Sequence, residues 1–251
     1  MTMTAKKAAV AVAPRDHYER LLAQHYTWMF GASFAEKVGC EKLLLREAGV
    51  LEPGVAMDLG CGSGFQSVAL AELGASHVHA VDSSAALLHE LKLHAGELPV
   101  TAHHGDLMAF DSLAVEPVDT VVCMGDTLTH LGARDDVRAL LARISVALSP
   151  GGRVVLSWRD LSAPPEGLDR FIPVRGDDER IMTCFLEDWG DTVLVHDLVH
   201  QRKGGVWQLR KSAYAKLKLS EDFVISTVEA AGLRVVHRRT SRGMAVVAAT
   251  R

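Results

Sequence analysis

This chain of 251 residues has little of several features that mark particular protein classes. It contains only four cysteines, and none forms a Cys-x-x-Cys pair that would indicate a disulfide framework or a cysteine-rich metal site. No apolar run approaches the ~18 residues that a membrane-spanning helix needs. Basic residues are not in excess, since 27 Lys and Arg face 31 Asp and Glu, which disfavours nucleic acid as a partner. We therefore expect a soluble, cytoplasmic globular protein that contacts neither membranes nor nucleic acid.

The segment from Val55 to Trp158 alternates short apolar runs with amphipathic stretches. Val55–Leu59 and the almost wholly apolar Val118–Met124 read as buried strands, and helical spacing follows each strand in turn. The same pattern resumes in Ser220–Thr250 after an interruption. This alternation predicts an α/β fold, with a mostly parallel sheet and helices on both faces.

Outside this pattern the composition predicts a tail followed by one domain, residues 15–251, with two accessory segments within it. Residues 1–14 read as a mobile tail. Residues 15–50 have helical spacing and many aromatic side chains, which favours a helical lid. Residues 164–219 carry β-type runs without helices, and Gly204-Gly205 sits between two of them as a hairpin signal, so an antiparallel β insertion is predicted.

A glycine-rich loop follows the first predicted strand, in the run Asp58-Leu-Gly60-Cys-Gly62-Ser-Gly64-Phe65. Ser63 and Gln66 have the spacing of a capping box at the start of the next helix. The dinucleotide fingerprint places its third glycine one position later and keeps that position small, whereas bulky Phe65 stands there. A Walker loop is excluded because no Gly-Lys-Ser/Thr follows. The loop predicts a ligand that approaches main-chain amides, but not a dinucleotide or a triphosphate.

Four aspartates stand at or just after the ends of the first four predicted strands, and these are Asp58, Asp82, Asp106 and Asp126. Ligands of open α/β sheets bind outside the carboxyl ends of the strands. Four carboxylates there would repel a polyphosphate, and they suit a ligand with positive charge and a sugar diol. A carboxylate at Asp82 can accept both ribose hydroxyls, and Asp106 with the Leu107 amide can contact an adenine edge.

These motifs resemble the class I S-adenosylmethionine-dependent methyltransferases, and Pro150-Gly-Gly152 is similar to a turn in that family. The resemblance implies a Rossmann-like, seven-stranded sheet with one antiparallel strand. It also implies S-adenosylmethionine as cofactor and S-adenosylhomocysteine as product, with Asp58 holding the ammonium group directly or through water. The residues implied in cofactor binding are Asp58, Gly60, Cys61, Gly62, Gly64, Phe65, Asp82, Ser83, Asp106, Leu107, Met124 and Gly125.

The segment Cys123–Leu131 is similar to the acceptor-side stretch of glycine and sarcosine N-methyltransferase-like enzymes, with Asp126 in place of asparagine. It lacks the Asn/Asp-Pro-Pro-Tyr/Phe motif of base methylation, so a small-molecule acceptor is expected. Asp126 and His130 are the candidate catalytic bases, needed only if the acceptor arrives protonated. A local turn or capping role is the alternative for both.

Further side chains are candidates for binding the methyl acceptor. Arg159 could pair with an acidic group, or else with Asp160. The other candidates are aromatic residues and histidines, which could instead pack in the core or form a dimer contact. They are Tyr18, Tyr26, Trp28, His196, His200 and Tyr214. Metal-binding motifs are absent among the twelve histidines, so no metal is expected. The leading hypothesis is methyl transfer to nitrogen or oxygen of a small metabolite. A non-methylating enzyme that uses the same cofactor, or a cofactor-binding subunit without turnover, stays open.

Overall fold

The computed structural model of the protein describes residues 11–113, 117–241 and 243–251. The chain divides into two structural units. The sheet unit comprises Ser33–Asp160 and Leu219–Arg251, and the insertion unit comprises residues 11–32 and Leu161–Lys218. The predicted lid, residues 15–50, is therefore shared between the two units at Ala32. Most of the predicted mobile tail lies outside the described residues, but Val12 forms a β-bridge with Tyr214.

The sheet unit alternates strands and helices, as predicted. Helix α1 begins after Ser33, whose side chain and that of Glu36 form a capping box. The elements in chain order are α1 (Phe34–Glu47), β1 (Val55–Leu59), α2 (Phe65–Glu72), β2 (His77–Asp82), α3 (Ala85–Ala95), β3 (Val100–His104), β4 (Val118–Cys123), α4 (Arg134–Ala147), β5 (Leu148–Trp158), α5 (Glu221–Ala230), β10 (Arg234–Ser241) and β11 (Met244–Thr250). Short 3-10 turns cover Leu107–Ser112 and Thr127–His130.

The seven strands of this unit form one sheet in the order β10-β11-β5-β4-β1-β2-β3. Strands β1 to β5 pair in parallel, and β11 runs antiparallel to both of its neighbours. The central strands are fully buried at side chains such as Met57, Val121 and Leu156. The predicted seven-stranded sheet with one antiparallel strand is confirmed, and the order change between β1 and β4 creates the crevice where such sheets bind ligands.

Two local predictions in this unit were wrong. Ser63 does not cap α2: the cap position is Gly64, in the left-handed region at φ 97°, and no side chain bonds to the cap. Pro150-Gly-Gly152 reads as a turn before a strand that begins at Arg153, but β5 begins at Leu148, which pairs with Val118. The left-handed backbone of Gly64 sets the first of these boundaries, and the pairing of Val118 with Leu148 sets the second.

The insertion unit contains a four-stranded antiparallel sheet in the order β6-β7-β8-β9. Its strands are β6 (Phe171–Gly176), β7 (Arg180–Asp188), β8 (Thr192–Lys203) and β9 (Val206–Leu217). The sequence indicated the last three and missed β6, a short edge strand that carries Pro173. Gly204 and Gly205 form the predicted hairpin turn, both with positive φ.

Four short helical segments run from Pro14 to Met29 and cover one face of this four-stranded sheet. Leu21 and Leu22 pack with Met182 and Val199 in a buried cluster. The face they cover carries Val193, Val195, Asp197 and Val199 of β8, since alternate residues of a strand share a face. Among the described residues, no helix is long and apolar enough to cross a membrane, and no group of three or more potential metal ligands converges.

Candidate functional site

The candidate site lies where β1 ends and α2 begins, in a loop shaped by three left-handed glycines. Gly60, Gly62 and Gly64 have φ angles of 73°, 55° and 97°. A Cβ atom at Gly60 would lie 2.3 Å from Cγ2 of Thr127, and one at Gly64 would lie 2.0 Å from Cδ1 of Leu91. Two of the glycines are thus required by packing inside the protein as well as by backbone conformation.

Asp82, at the end of β2, is held in a fixed orientation by two backbone amides. Its Oδ2 atom accepts a hydrogen bond from Gly62 N at 2.8 Å, and Oδ1 accepts one from Ser84 N at 2.8 Å. The bond to Gly62 joins the glycine loop to the neighbouring strand, so one carboxylate both shapes the loop and lies at the strand end where ligands of open α/β sheets bind.

Asp58, at the end of β1, is 1% exposed and bound to α2 rather than open to solvent. Its Oδ2 accepts a hydrogen bond of 2.6 Å from Ser67 Oγ. Burial, with smaller contributions from the charges of Asp82 and Glu41, raises the pKa of Asp58 to about 7, although the Ser67 bond opposes this shift. A cation placed nearby would favour the ionised form, so this carboxyl group is suited to a positively charged ligand.

The thiols beside Asp58 are neutral. Burial and the charges of Asp58 and Asp82 raise the pKa of Cys61 well above its usual value. Burial and Asp58 raise the pKa of Cys123 to about 12. A thiol that stays protonated is a poor nucleophile, so these cysteines line the strand ends as apolar side chains rather than as reactive groups.

Phe65 is 2% exposed and packs against α1. Its ring lies 4.9 Å from that of Phe34, and Nζ of Lys37 lies 5.8 Å from its centroid. The bulky residue that breaks the dinucleotide fingerprint therefore fills space between two helices. Its contact with a cofactor stays a prediction.

Asp106 follows β3 at the same edge of the sheet and is exposed. Its Oδ1 accepts a hydrogen bond from Met108 N at 2.8 Å, which caps the 3-10 turn Leu107–Ser112. The other carboxylate oxygen of Asp106 and the half-buried Leu107 lie at the edge of the sheet. Their contact with an adenine stays a prediction. Nearby, the carbonyl of Ser83 is 3.0 Å from Nε2 of His104.

The end of β4 is tied to the end of β5 by two hydrogen bonds. Gly125 N donates to Ser157 Oγ at 2.9 Å, and Arg159 N donates to Asp126 Oδ1 at 2.8 Å. Asp126 thus has a structural role at the end of β5, and its role as a catalytic base stays a prediction. The Arg159 side chain is exposed, and its contact with an acceptor stays a prediction.

Thr127 is a residue that sequence reasoning missed. Its Oγ1 lies 3.3 Å from the Gly60 carbonyl and 3.1 Å from the Met124 carbonyl, and it can donate to one of them at a time. It therefore links the glycine loop to the segment that begins the turn Thr127–His130, on which half-buried His130 lies. In the sequence, Gly60 was the feature that could have indicated this contact, because a residue without a side chain leaves room for a neighbouring side chain.

The remaining predicted acceptor-binding residues lie in the insertion unit. Tyr214 is 3% exposed and its ring lies 4.2 Å from that of His17. His196 Nε2 lies 2.6 Å from Oε2 of Glu187. His196 pairs with Ala213 across the sheet, so His196 and His200 are on the face opposite to Tyr214. These three side chains cannot line the same surface of this sheet.

Trp28, Tyr18 and Tyr26 belong to the helical segments of the same unit. Nε1 of Trp28 donates to Asp177 Oδ2 at 2.5 Å, and the Tyr18 and Tyr26 ring centroids are 6.0 Å apart. These contacts are internal to the unit, and Trp28 is half-buried. Binding of an acceptor by any of the six residues stays a prediction.

Comparisons with known proteins agree with this geometry. Residues 56–152 match the family described as "Methyltransferase domain". A mitochondrial ubiquinone biosynthesis O-methyltransferase of Schizosaccharomyces pombe is 30% identical over 159 residues, covering 59% of this chain and 56% of that protein. A cypemycin N-terminal methyltransferase of a Streptomyces species is 37% identical over 112 residues, covering 44% of each chain. The chain thus spans about half the length of these curated relatives.

Among solved structures, an amino pentose methyltransferase of calicheamicin biosynthesis from Micromonospora echinaspora, solved with bound S-adenosylmethionine, has the same fold. The TM-score is 0.73 at 20% identity, and the match covers 91% of this chain and 95% of that one. The match to the family covers β1 to the start of β5, where the glycine loop and the four aspartates lie. Residues 56–152 of this chain therefore match a methyltransferase domain, and the chain shares the fold of that amino pentose methyltransferase.

Proposed function

We propose that this protein transfers a methyl group from S-adenosylmethionine to a nitrogen or oxygen atom of a small metabolite. The observation that supports the proposal is the orientation of Asp82 at the end of β2, where the amides of Gly62 and Ser84 fix its two oxygens. Such a pair of acceptors is suited to the two hydroxyls of a ribose. A triphosphate would be repelled by the same carboxylate and by its neighbours along the edge.

Asp58 has a different role in the proposal. Because it is buried and bonded to Ser67, it acts on the cofactor through its charge and through intervening water rather than by direct contact. The ammonium group of the cofactor favours the ionised carboxylate, so binding and deprotonation of Asp58 are linked. Asp106 and the Leu107 amide would contact the adenine at the end of β3.

The chemical step is an in-line displacement. A lone pair of the acceptor atom forms a bond to the methyl carbon while the carbon–sulfur bond breaks and its electrons return to sulfur. The neutral thioether S-adenosylhomocysteine leaves, and a protonated acceptor loses its proton to a base or to water. Most of the rate enhancement comes from alignment and from the exclusion of water. Asp126 and His130 are the candidate proton acceptors.

The acceptor itself is proposed only as a class. The names of the similar proteins include an O-methyltransferase, an N-terminal methyltransferase and an amino pentose methyltransferase, which together support nitrogen or oxygen as the methylated atom. Arg159 supports an acidic group on the acceptor, because its side chain is exposed beyond the end of β5.

A labelled-methyl experiment tests the proposed activity. The full chain is incubated with S-adenosylmethionine carrying a labelled methyl group and with a cell extract from which macromolecules have been removed. Label in a new small metabolite, with an equal amount of S-adenosylhomocysteine, is the expected result. Cofactor breakdown without a labelled product would instead support a non-methylating enzyme. Binding without any product would support a cofactor-binding subunit.

Two further expectations are kept as proposals, a homodimer and a cytoplasmic location. The face of the four-stranded sheet that carries His196 also exposes Phe171, Ile181 and Leu209, which are 53%, 44% and 48% exposed. An exposed apolar patch of this kind supports a contact between copies. Light scattering on the full chain, compared with Ile181→Lys, tests the dimer, and cell fractionation tests the location.

A further inference from the structure

A second polar site lies in the insertion unit, over the end of the covered face of the four-stranded sheet. Its centre is His25, which is 2% exposed. Within the described parts of the chain, neither ring nitrogen of His25 has a hydrogen-bond partner, and the same holds for the buried Oε1 atom of Gln201. Buried polar atoms are nearly always satisfied, so these three atoms indicate that partners are missing.

Two arginines from the sheet flank this region. Arg180 of β7 pairs with Gln201, and Arg210 of β9 pairs with Val199, which places both arginines on the same face of the sheet as Gln201. The guanidinium carbon of Arg180 lies 4.4 Å from the centre of the Trp28 ring, and that ring lies 6.3 Å from the His25 ring. Arg210 donates a hydrogen bond from Nη2 to the carbonyl of Arg20, within the segment that leads to His25.

The electrostatics of the region are consistent with this arrangement. Burial and then the positive charges of Arg180 and Arg210 lower the pKa of His25, which keeps the ring neutral near pH 7. A neutral imidazole offers one N–H donor and one acceptor. The nearby carboxylate of Asp177 is already bonded to Nε1 of Trp28, and it lies 4.0 Å from Nε of Arg180. Positive charge therefore remains in excess beside the unsatisfied atoms.

We propose that His25, Gln201, Arg180 and Arg210 form an anion-binding site that takes a phosphate group. Guanidinium groups bind phosphate oxygens with charge-assisted hydrogen bonds, and the imidazole N–H adds a further donor. A hydroxyl of a phosphate group that keeps a proton can donate to Oε1 of Gln201 or to the unprotonated nitrogen of His25. The mixed set of unsatisfied donors and acceptors thus fits phosphate better than an anion without a hydroxyl, such as sulfate.

Calorimetric titration of the full chain with inorganic phosphate, in a phosphate-free buffer of constant ionic strength, tests the site. Saturable binding is expected, and Arg180→Gln or Arg210→Gln should each weaken it by about tenfold or more. Arg202→Gln is the matched control, because Arg202 is exposed on the opposite face of β8, and it should change the affinity by less than about twofold. No binding to the unaltered protein, or equal weakening in all three variants, would overturn the proposal.

A second measurement does not depend on the folding of any arginine variant. The ring signals of His25 in a nuclear magnetic resonance spectrum, assigned by their loss in His25→Gln, should shift on addition of phosphate and saturate at the calorimetric affinity. Unchanged His25 signals at saturation would also overturn the proposal. Glucose 1-phosphate identifies the source of the group. Tighter binding than inorganic phosphate assigns the site to a phosphate ester, and weaker binding assigns it to the free ion.

Discussion

The carboxyl group of Asp58 is fully buried, so its ionisation costs free energy. In the unfolded chain an aspartate has a pKa of about 3.9, whereas the folded protein raises the pKa of Asp58 to about 7. The folded state thus binds a proton that the unfolded state has released. Stability from this group is fully present below about pH 4 and is lost as the pH rises through about 7.

Asp58→Asn should therefore flatten the dependence of stability on pH. We expect the variant to gain a few kcal/mol relative to the unaltered protein between pH 5 and pH 8, because it removes the cost of the buried charge. Urea unfolding at both pH values measures this difference. Asp111→Asn is the control, since Asp111 lies in an exposed ion pair with Arg143 and its pKa is lowered instead. If the free energy of unfolding had the same pH dependence in Asp58→Asn and in the unaltered protein, the pKa of Asp58 would not be raised.

Asp82 is the residue on which cofactor binding depends most directly. Asp82→Asn keeps the size of the side chain but loses the charge and one of the two acceptor oxygens that hold Gly62 and Ser84. We expect the affinity for S-adenosylhomocysteine to fall by about tenfold to a hundredfold. Isothermal calorimetry measures the change, with Asp111→Asn again as the control. An unchanged affinity in Asp82→Asn would contradict the assignment of this carboxylate to the ribose.

At the scale of elements, the glycine loop is stabilised by internal packing before any ligand binds. Gly64 and Gly74 have nearly the same left-handed backbone, at φ 97° and 95°, but only Gly64 is close to a neighbour. A Cβ atom at Gly64 would lie 2.0 Å from Leu91, whereas one at Gly74 would meet nothing within 4 Å. Substitution of alanine at each position therefore distinguishes the free-energy cost of backbone strain, which both share, from the cost of overpacking, which only Gly64 has.

Gly64→Ala should therefore destabilise the protein more than Gly74→Ala does. We expect about 1–2 kcal/mol for Gly74→Ala from the backbone alone, and about 2–5 kcal/mol for Gly64→Ala, where overpacking adds to it. Chemical denaturation of both variants measures the difference. Leu91→Ala combined with Gly64→Ala should cost less than the sum of the two single substitutions, because the added Cβ atom then fills part of the cavity. Equal destabilisation by the two single substitutions would show that Leu91 yields without cost.

For the molecule as a whole, the parallel sheet could be predicted because apolar runs such as Val118–Cys123 alternate with helical spacing. The edge of the sheet could also be predicted, since Asp58, Asp82, Asp106 and Asp126 each lie at or just after the end of a strand and parallel strands end on the same side. These features depend on local sequence and on the fixed geometry of the fold, and so a single sequence was sufficient.

What the sequence did not indicate depends on contacts between distant residues. The bond from Arg159 N to Asp126 and the approach of Thr127 to Gly60 join residues 33 and 67 positions apart. The placement of His196 opposite to Tyr214 follows from strand register. Register in an insertion is set by long-range pairing, which hydrophobic periodicity alone does not specify.

Titration calorimetry of the full chain with S-adenosylhomocysteine, and in parallel with NAD, tests whether the carboxylates along the strand ends accept a ribose and repel a pyrophosphate. We expect saturable binding of one S-adenosylhomocysteine per chain and no heat with NAD. Binding of NAD, or the absence of heat with S-adenosylhomocysteine, would contradict it.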